Sequence, residues 1–439
     1  MYTFKKFASK SIPKFISAKD EFLYLSKYGK VLDFTSGWTG FATLGHNNKE
    51  ILDSIKKQMK VYCHVDFNEF ENPLVEKLSK KIIQFSKNKN KKIWYSGNSG
   101  SEALEAAMKL SYSVHFSNNK KNKTKFIHRS QSFHGASLHP LSISTFDIFD
   151  IFKKIKTKNI EIDQNNIHTK YNSKFKMGIK NKESVKQHLE RSLKNLEDKI
   201  KKNNPETICA MVGETQLGSL VGDVPPQKGY WKEVSKILKK YNIHLILDEI
   251  YCGMGRSGKL FNYEWDDVNP DLVCVGKNTT SGCIPFSFVL ANQEFESKIL
   301  KNLGRVTLGH TFQGHSLGLV ATDTVLKIIK RDKLLNRVEK TGKYIQKIIE
   351  DELKTNHMFS NVRGRGFGIS VQHHVNNQNL FSSDLKEMLL EKHKILMNIK
   401  FHRTSFTPCY NMNKKNIDMA VDKFITTFKL LSKNSNKYN

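Results

Sequence analysis

Four short apolar runs, each ending in polar or titratable residues, constrain this chain more than any other feature. They are FIHRSQSFHG (126–135), ICAMVGETQLG (208–218), IHLILDEIYCG (243–253) and LVCVGK (272–277). Each is short, continuous and bounded by turn-forming residues, so each reads as a buried strand. The helical pattern YWKEVSKILKKYN (230–242) separates the second from the third, and KKIWYSGNSGSEALEAAMKLSY (91–112) reads as strand, tight turn and helix. Strands alternating with helices predict an α/β protein whose large domain has a mostly parallel sheet covered by helices. Such sheets bind ligands at the carboxyl ends of their strands, where this sequence places His134, Glu214, Asp248 and Lys277.

A chain of 439 residues exceeds one compact core, so a smaller second domain is expected. FLYLSKYGKVLDFTSG (22–37) reads as two strands around a turn. NVRGRGFGISV (361–371) and the tail from Lys394 read as strand, turn, strand and a last helix. The expected organisation is residues 1–55 and 316–439 as a small α+β domain built from both termini, with residues 56–315 as the large ligand-binding domain. Residues 152–205, rich in Lys and Asn, are expected to be a solvent-facing elaboration.

No apolar run reaches spanning length, so no membrane partner is expected. Lys and Arg total 72 against 42 acidic residues, a net charge of +30 that suits polyanions. The lysines are dispersed and often lie beside Asn, as in SNNKKNKTK (117–125), without the aromatic interleaving of a base-reading surface. A solvated surface and no nucleic-acid partner are expected. The six cysteines form no C-x-x-C pair and no zinc spacing, so they read as reduced, buried thiols of a cytoplasmic protein without metal. The basic N-terminus MYTFKKFASKSIPKF lacks an apolar signal core, and no targeting segment is expected.

Asp248, ending the run HLILD, would be costly as an isolated buried carboxylate and calls for a cationic partner. A protonated pyridine nitrogen is one, and it makes the ring an electron sink. Lys277 at a strand end either escapes to solvent along its methylenes or, in an apolar pocket, condenses with a ring-borne carbonyl. The backbone N–H groups of Gly100, Ser101 and Glu102 at a helix start suit a phosphate, although the same residues also read as an ordinary capping box. Asp248 and Glu249 likewise read either as site carboxylates or as a helix N-cap pair. A phosphate cradle, a carboxylate and a lysine around one ring are the requirements of pyridoxal phosphate chemistry.

The sequence resembles the class III, ornithine-type aminotransferases of fold type I pyridoxal phosphate enzymes over nearly its whole length. The resemblance lies in DFTSGWTG (33–40), LGHNNKEI (44–51), NSGSEALEAAMKL (98–110), SFHG (132–135), VGETQLG (212–218), LILDEIYCGMGRSGKLF (245–261), PDLVCVGKNTTSG (270–282) and GHTFQGHSLG (309–318). It implies that Lys277 carries pyridoxal 5'-phosphate as a Schiff base and that Asp248 pairs with the ring nitrogen. Gly100 and Ser101 would bind the phosphate, Phe133 would stack on the ring with His134 beside it, and Glu214 would lie near the ring. Thr311 would reach the phosphate of the neighbouring subunit, which implies a homodimer with two shared sites. Trp38 matches a substrate-pocket aromatic, or is a core tryptophan.

Three departures stand out. Tyr251 replaces the family's usual Gln beside the ring hydroxyl, and its phenol can still donate. Thr215 replaces a proline. The family's carboxylate-binding arginine falls at Ser405, but Arg403 lies two residues earlier on the same strand face and is the expected substrate residue, with a surface arginine as the alternative. The implied activity is ping-pong transfer of an amino group from an amine, ω-amino acid or amino acid donor to a 2-oxo acid. An aminomutase or decarboxylating transaminase on the same scaffold, or an inactive basic binding protein of this fold, are the other readings.

Overall fold

The computed structural model describes residues 13–438 apart from 68, 87–90, 147–150, 153, 171, 174–175, 219–220 and 401. Its centre is a seven-stranded sheet in the order Lys91–Gly97, Ser287–Asn292, Leu272–Val275, His244–Asp248, Ile208–Glu214, Lys125–Arg129 and Ile160–Ile162. Only Ser287–Asn292 runs antiparallel to its neighbours. The remaining pairs are parallel. Ile208–Glu214 and Leu272–Val275 are buried along their whole length. Their continuous apolar sequence follows from that, because helices cover both faces of the sheet.

Each face has its own core. On one, the helix Gly100–Ser117 sets Ala103, Leu104 and Ala107 against Ala210, Val212 and Ile246. Its small side chains let the helix lie close to the strands. On the other, Trp231, Val234 and Leu238 of the helix Tyr230–Lys240 belong to a cluster with Met211, Leu245 and Leu247. Alternate residues of one strand thus serve opposite faces.

Two four-stranded sheets flank this core. Phe15–Lys19, Phe22–Leu25 and Gly29–Asp33 form an antiparallel meander, and Ile395–Leu396 joins it in parallel, so the two ends of the chain share one sheet. The other sheet has the order Phe359–Arg365, Gly368–His373, Arg403–Phe406, Asn398–Lys400 and is antiparallel throughout.

The Lys- and Asn-rich segment does more than face solvent. It contributes the sheet's edge strand Ile160–Ile162, and its helix Val185–Lys202 buries His188, Ser192, Leu196 and Ile200 at four-residue spacing. A stripe that narrow, set among many lysines, is hard to see in composition. The expectation of buried thiols holds for Cys209, Cys252, Cys274 and Cys409 but not for Cys283, which is half-buried, or for Cys63, which is exposed just beyond the helix Lys49–Met59. Among the described residues no helix is long and apolar enough to cross a membrane.

Candidate active site

Parallel pairing brings the strand ends together. Glu214 stands beside Asp248 and Asp248 beside Cys274 in register, with Lys277 following two residues after its strand closes. These ends open into a cavity of about 270 Å³. Gly100, Ser101, Phe133, His134, Glu214, Asp248, Tyr251, Lys277 and Trp38 all line it. Thr311 and Arg403 do not.

The floor is tightly bonded. Asp248 Oδ1 accepts the Ile250 N–H at 3.0 Å, and Oδ2 lies 2.9 Å from His134 Nδ1, both side chains being buried. His134 Nε2 is buried without a hydrogen-bond partner. Glu214 Oε1 accepts the Phe133 N–H at 3.1 Å and Oε2 the Gly218 N–H at 2.9 Å, while burial raises its carboxyl above the usual range. The Glu214 carbonyl accepts from Arg129, whose guanidinium stacks 4.7 Å from Trp231, so the turn that lacks the family's proline is anchored from beneath.

Lys277 has φ of 43°, a left-handed conformation that a lysine adopts only when its surroundings impose it, at a cost of order 1–3 kcal/mol. The preceding Gly276 is extended, and a Cβ there would meet the Gly100 Cα at 3.4 Å. The strained turn throws the side chain into the cavity rather than along the sheet. Burial lowers its amine below the usual lysine range, against the opposing pull of Asp248 and Glu214. Its Nζ lies 5.6 Å from the centre of the Tyr251 ring.

At the other end stands the N-terminus of the helix Gly100–Ser117. Ser99 caps it by accepting the Glu102 N–H at 3.3 Å, and Glu102 Oε2 accepts the N–H of Asn98 and, at 2.9 Å, of Ser99. The capping box is therefore real, yet it consumes the N–H groups on either side of Gly100 and Ser101. Theirs lack intrahelical acceptors and point with the positive end of the helix dipole. A side chain at position 100 would meet Ile250 at 2.7 Å, which is why the cradle needs glycine.

Trp38 sits on the loop Ser36–Gly40, held by Asp33, which accepts the N–H groups of Thr35 at 2.9 Å and Gly37 at 2.7 Å. The Lys386 and Lys400 ammonium groups lie 5.5 and 5.9 Å from its ring centre.

A model of the class-III aminotransferases matches residues 9–428. The chain belongs to that family. An aminotransferase of Gibberella zeae is 32% identical over 359 residues, covering 81% of this chain and 69% of its own. The adenosylmethionine-8-amino-7-oxononanoate aminotransferase of Staphylococcus aureus is 28% identical over 421 residues, 92% of this chain and 89% of its own. The solved omega transaminase of Pseudomonas jessenii in complex with PMP has the same fold, with a TM-score of 0.89 at 20% identity over 99% of this chain and 97% of that one.

This aminotransferase works with pyridoxal 5'-phosphate, and the cavity suits that group. It offers unused N–H donors at a helix start for an anion, an aromatic wall, a carboxylate with an orienting histidine, and a lysine whose amine has lost its ordinary solvation.

Tyr251 and Arg403 stand differently from expectation, and Thr311, expected at a neighbouring subunit's site, lies outside the cavity of its own chain. The Tyr251 hydroxyl is already engaged as the donor to Asp223 Oδ1 at 2.6 Å, and its ring lines the cavity. Arg403 is buried against Gly222, where an added Cβ would lie 2.7 Å from its Cδ, with Asp223 as the neighbouring carboxylate. Thr311 is exposed, its carbonyl bonded by His64 Nε2 at 2.7 Å, and within one chain it is outside the cavity wall. The cavity also has walls that sequence reasoning missed: Asn398 and Lys400, from the strand Asn398–Lys400. Their alternation across Ile399 was the available signal, since two polar residues flanking an apolar one mark a strand with one polar face.

Proposed function

We propose that this aminotransferase moves an amino group from an amine, ω-amino acid or amino acid donor to a 2-oxo acid in two half-reactions at one cavity. Lys277 is its catalytic base and Asp248 the partner of the cofactor's ring nitrogen. The observation that carries the reading is Lys277 itself, held in a left-handed conformation and lining the same cavity as Asp248 and the helix start at Gly100.

Pyridoxal phosphate, when bound, supplies an electron sink for charge developing at the donor carbon. Asp248, oriented by His134 Nδ1, would pair with the ring nitrogen and favour its protonated form. Lys277 Nζ would hold the cofactor, and when free its amine of lowered basicity is suited to taking up and returning a proton at the donor carbon. Gly100 and Ser101 would hold the phosphate, with Phe133 and Glu214 as the aromatic and carboxyl walls available to the ring. Trp38 bounds the substrate space. The return of the amino group to a 2-oxo acid uses the same residues in reverse.

The working unit is a homodimer. Thr311 and the exposed Phe312 occupy a loop beside Glu102 and the helix start, with His310 Nε2 3.4 Å from Glu102 Oε1, which supports completion of the phosphate end by a second chain. Free thiols, most of them buried, support a reducing, cytoplasmic location.

Borohydride reduction of the cofactor-saturated protein followed by peptide mapping tests the assignment, with label expected on Lys277. Lys277→Ala should lower amino transfer by about a hundred- to ten-thousand-fold, the contribution of a positioned proton carrier. Label on another residue, or near-normal turnover by the variant, would refute the reading.

A further inference from the structure

The C-terminal sheet has an unusual inner face. Across its four strands Asn398 pairs with Ser405, Ser405 with Ser370 and Ser370 with Arg363. In the next row Lys400 pairs with Arg403, Arg403 with Gln372 and Gln372 with Asn361. Cross-strand partners project to the same side of a sheet, so all these polar residues share one face. The opposite face carries the apolar set Val362, Ile369, Val371, Ile399 and Phe406.

A polar sheet face ordinarily meets water. Here Arg363, Arg403, Ser370, Ser405 and Asn398 are buried, because the turn around Gly222 lies over them. Arg363 Nε donates to the Gly222 carbonyl at 2.8 Å and the Ser370 hydroxyl to Asp223 Oδ2 at 2.6 Å. Three cations, Lys400, Arg403 and Arg363, thus stand on one face, and Asp223 is the carboxylate acting on both arginines. At the open end of this face Asn398 and Lys400 enter the catalytic cavity. An excess of positive charge at the wall of a concave site attracts and orients anions.

We propose that Lys400 is the residue that recognises the carboxylate of the 2-oxo acid acceptor, with Asn398 beside it and the two buried arginines as its positive background. The inference rests on the aminotransferase reading and assigns the specificity within it. Arg403, behind Gly222, acts on the substrate only through this field. A lysine contacts a carboxylate as a mobile point charge rather than a rigid fork, so the site favours acids by charge and tolerates variation in chain length. Donors without a carboxylate enter past Trp38 without using it.

The test compares two three-carbon acceptors with and without a carboxylate, pyruvate and propanal, with the full-length enzyme in its aminated cofactor form. Wild type, Lys400→Gln and Lys400→Arg are followed by single-turnover absorbance. Lys400→Gln should lose about tenfold to a hundredfold more in kcat/KM with pyruvate than with propanal, mostly in KM, as expected for one lost charged hydrogen bond. Lys400→Arg should recover most of that difference. Equal losses with the two acceptors would mark Lys400 as merely structural, and an unchanged pyruvate reaction would remove it from recognition; either overturns the proposal. Failure of the wild type to aminate either acceptor would instead count against the aminotransferase reading.

Discussion

Replacing Glu249 with glutamine should remove a proton-linked loss of stability that the native protein suffers near neutral pH. Asp248 and Glu249 are consecutive, yet only Asp248 lines the cavity. Glu249 is wholly buried, its Oε2 and Oε1 accepting the N–H groups of Asn262 and Tyr263 at 2.8 Å each. Burial raises its carboxyl to about 8, outweighing the donors that pull it down. In the unfolded chain a glutamate titrates near 4.3, so over roughly pH 5.5 to 7.5 the folded form holds a proton that the unfolded form has released. A pKa raised on folding gives stability that is complete below the unfolded value and is lost as pH rises through the folded one. The slope is one proton, about 1.4 kcal/mol per pH unit, so two units amount to about 3 kcal/mol.

Glutamine has no proton to lose, so this part of the pH dependence should vanish. Its amide group cannot accept, and one N–H loses its acceptor at a cost of about 1–3 kcal/mol, but that cost is the same at both pH values and cancels. Burial also raises Glu214, Asp223, Asp266 and Asp271, and these too cancel because both proteins contain them. Urea unfolding of both proteins at about pH 5.5 and 7.5, at fixed saturating cofactor, supplies the comparison. The variant should gain about 3 kcal/mol relative to wild type on going to the higher pH. A difference that stays constant would mean that Glu249 is ionised in the fold, and the reasoning from burial would fail.

Two further substitutions probe the supports of the site. Gly213→Ala would put a Cβ 2.4 Å from the edge of Trp231, overpacking a core that also seats Arg129 beneath Glu214; a loss of about 1–3 kcal/mol is expected in thermal unfolding, and an unchanged midpoint would contradict it. Tyr251→Phe removes a donor from the buried Asp223 carboxyl and should cost about 1–3 kcal/mol. Because that hydrogen bond favours the ionised form, the loss should be larger at about pH 8 than at pH 5, and the reverse order in urea unfolding would refute the role.

The legible part of this protein is the part that parallel strands create. Strand ends far apart in sequence become neighbours by pairing in register, as Glu214 does with Asp248, so a pattern of apolar runs with polar ends already implies a site. Lys277 and the Gly100 turn follow from the same logic, each at the end of a strand in one sheet. Arg403 shows where that logic stops. The rule that alternate strand residues share a face does place Arg403 with Ser405, but neither lines the cavity, and Arg403 is packed against the turn at Gly222, contributed from far away in sequence. Asp223 was invisible because a lone aspartate in GDVPP belongs to no pattern until Tyr251 and Ser370 are brought to it. Thr311 lies outside the cavity of its own chain, so the contact expected of it with a neighbouring subunit depends on a surface that one chain does not contain.

Asp223 also explains how one scaffold separates chemistry from selection. Its two oxygens hold the Tyr251 hydroxyl on one side and the Ser370 hydroxyl on the other, and Ser370 lies 2.6 Å from Ser405. Tyr251 forms the cavity wall 5.6 Å from the reactive amine, while Ser370 and Ser405 belong to the sheet face that ends in Lys400. A buried carboxyl with three or more favourable neighbours resists displacement, because moving either side leaves it unsatisfied. The lysine, the aspartate and the phosphate cradle are fixed by the central sheet and its covering helix. Asn398 and Lys400 ride on a different sheet, joined to the first by this polar link together with others, among them Gln216 Nε2 donating to the Gly368 carbonyl at 3.0 Å. If Lys400 reads the acceptor as proposed, changes at Asn398 and Lys400 should alter which acid is accepted while leaving Lys277 and Asp248 in place.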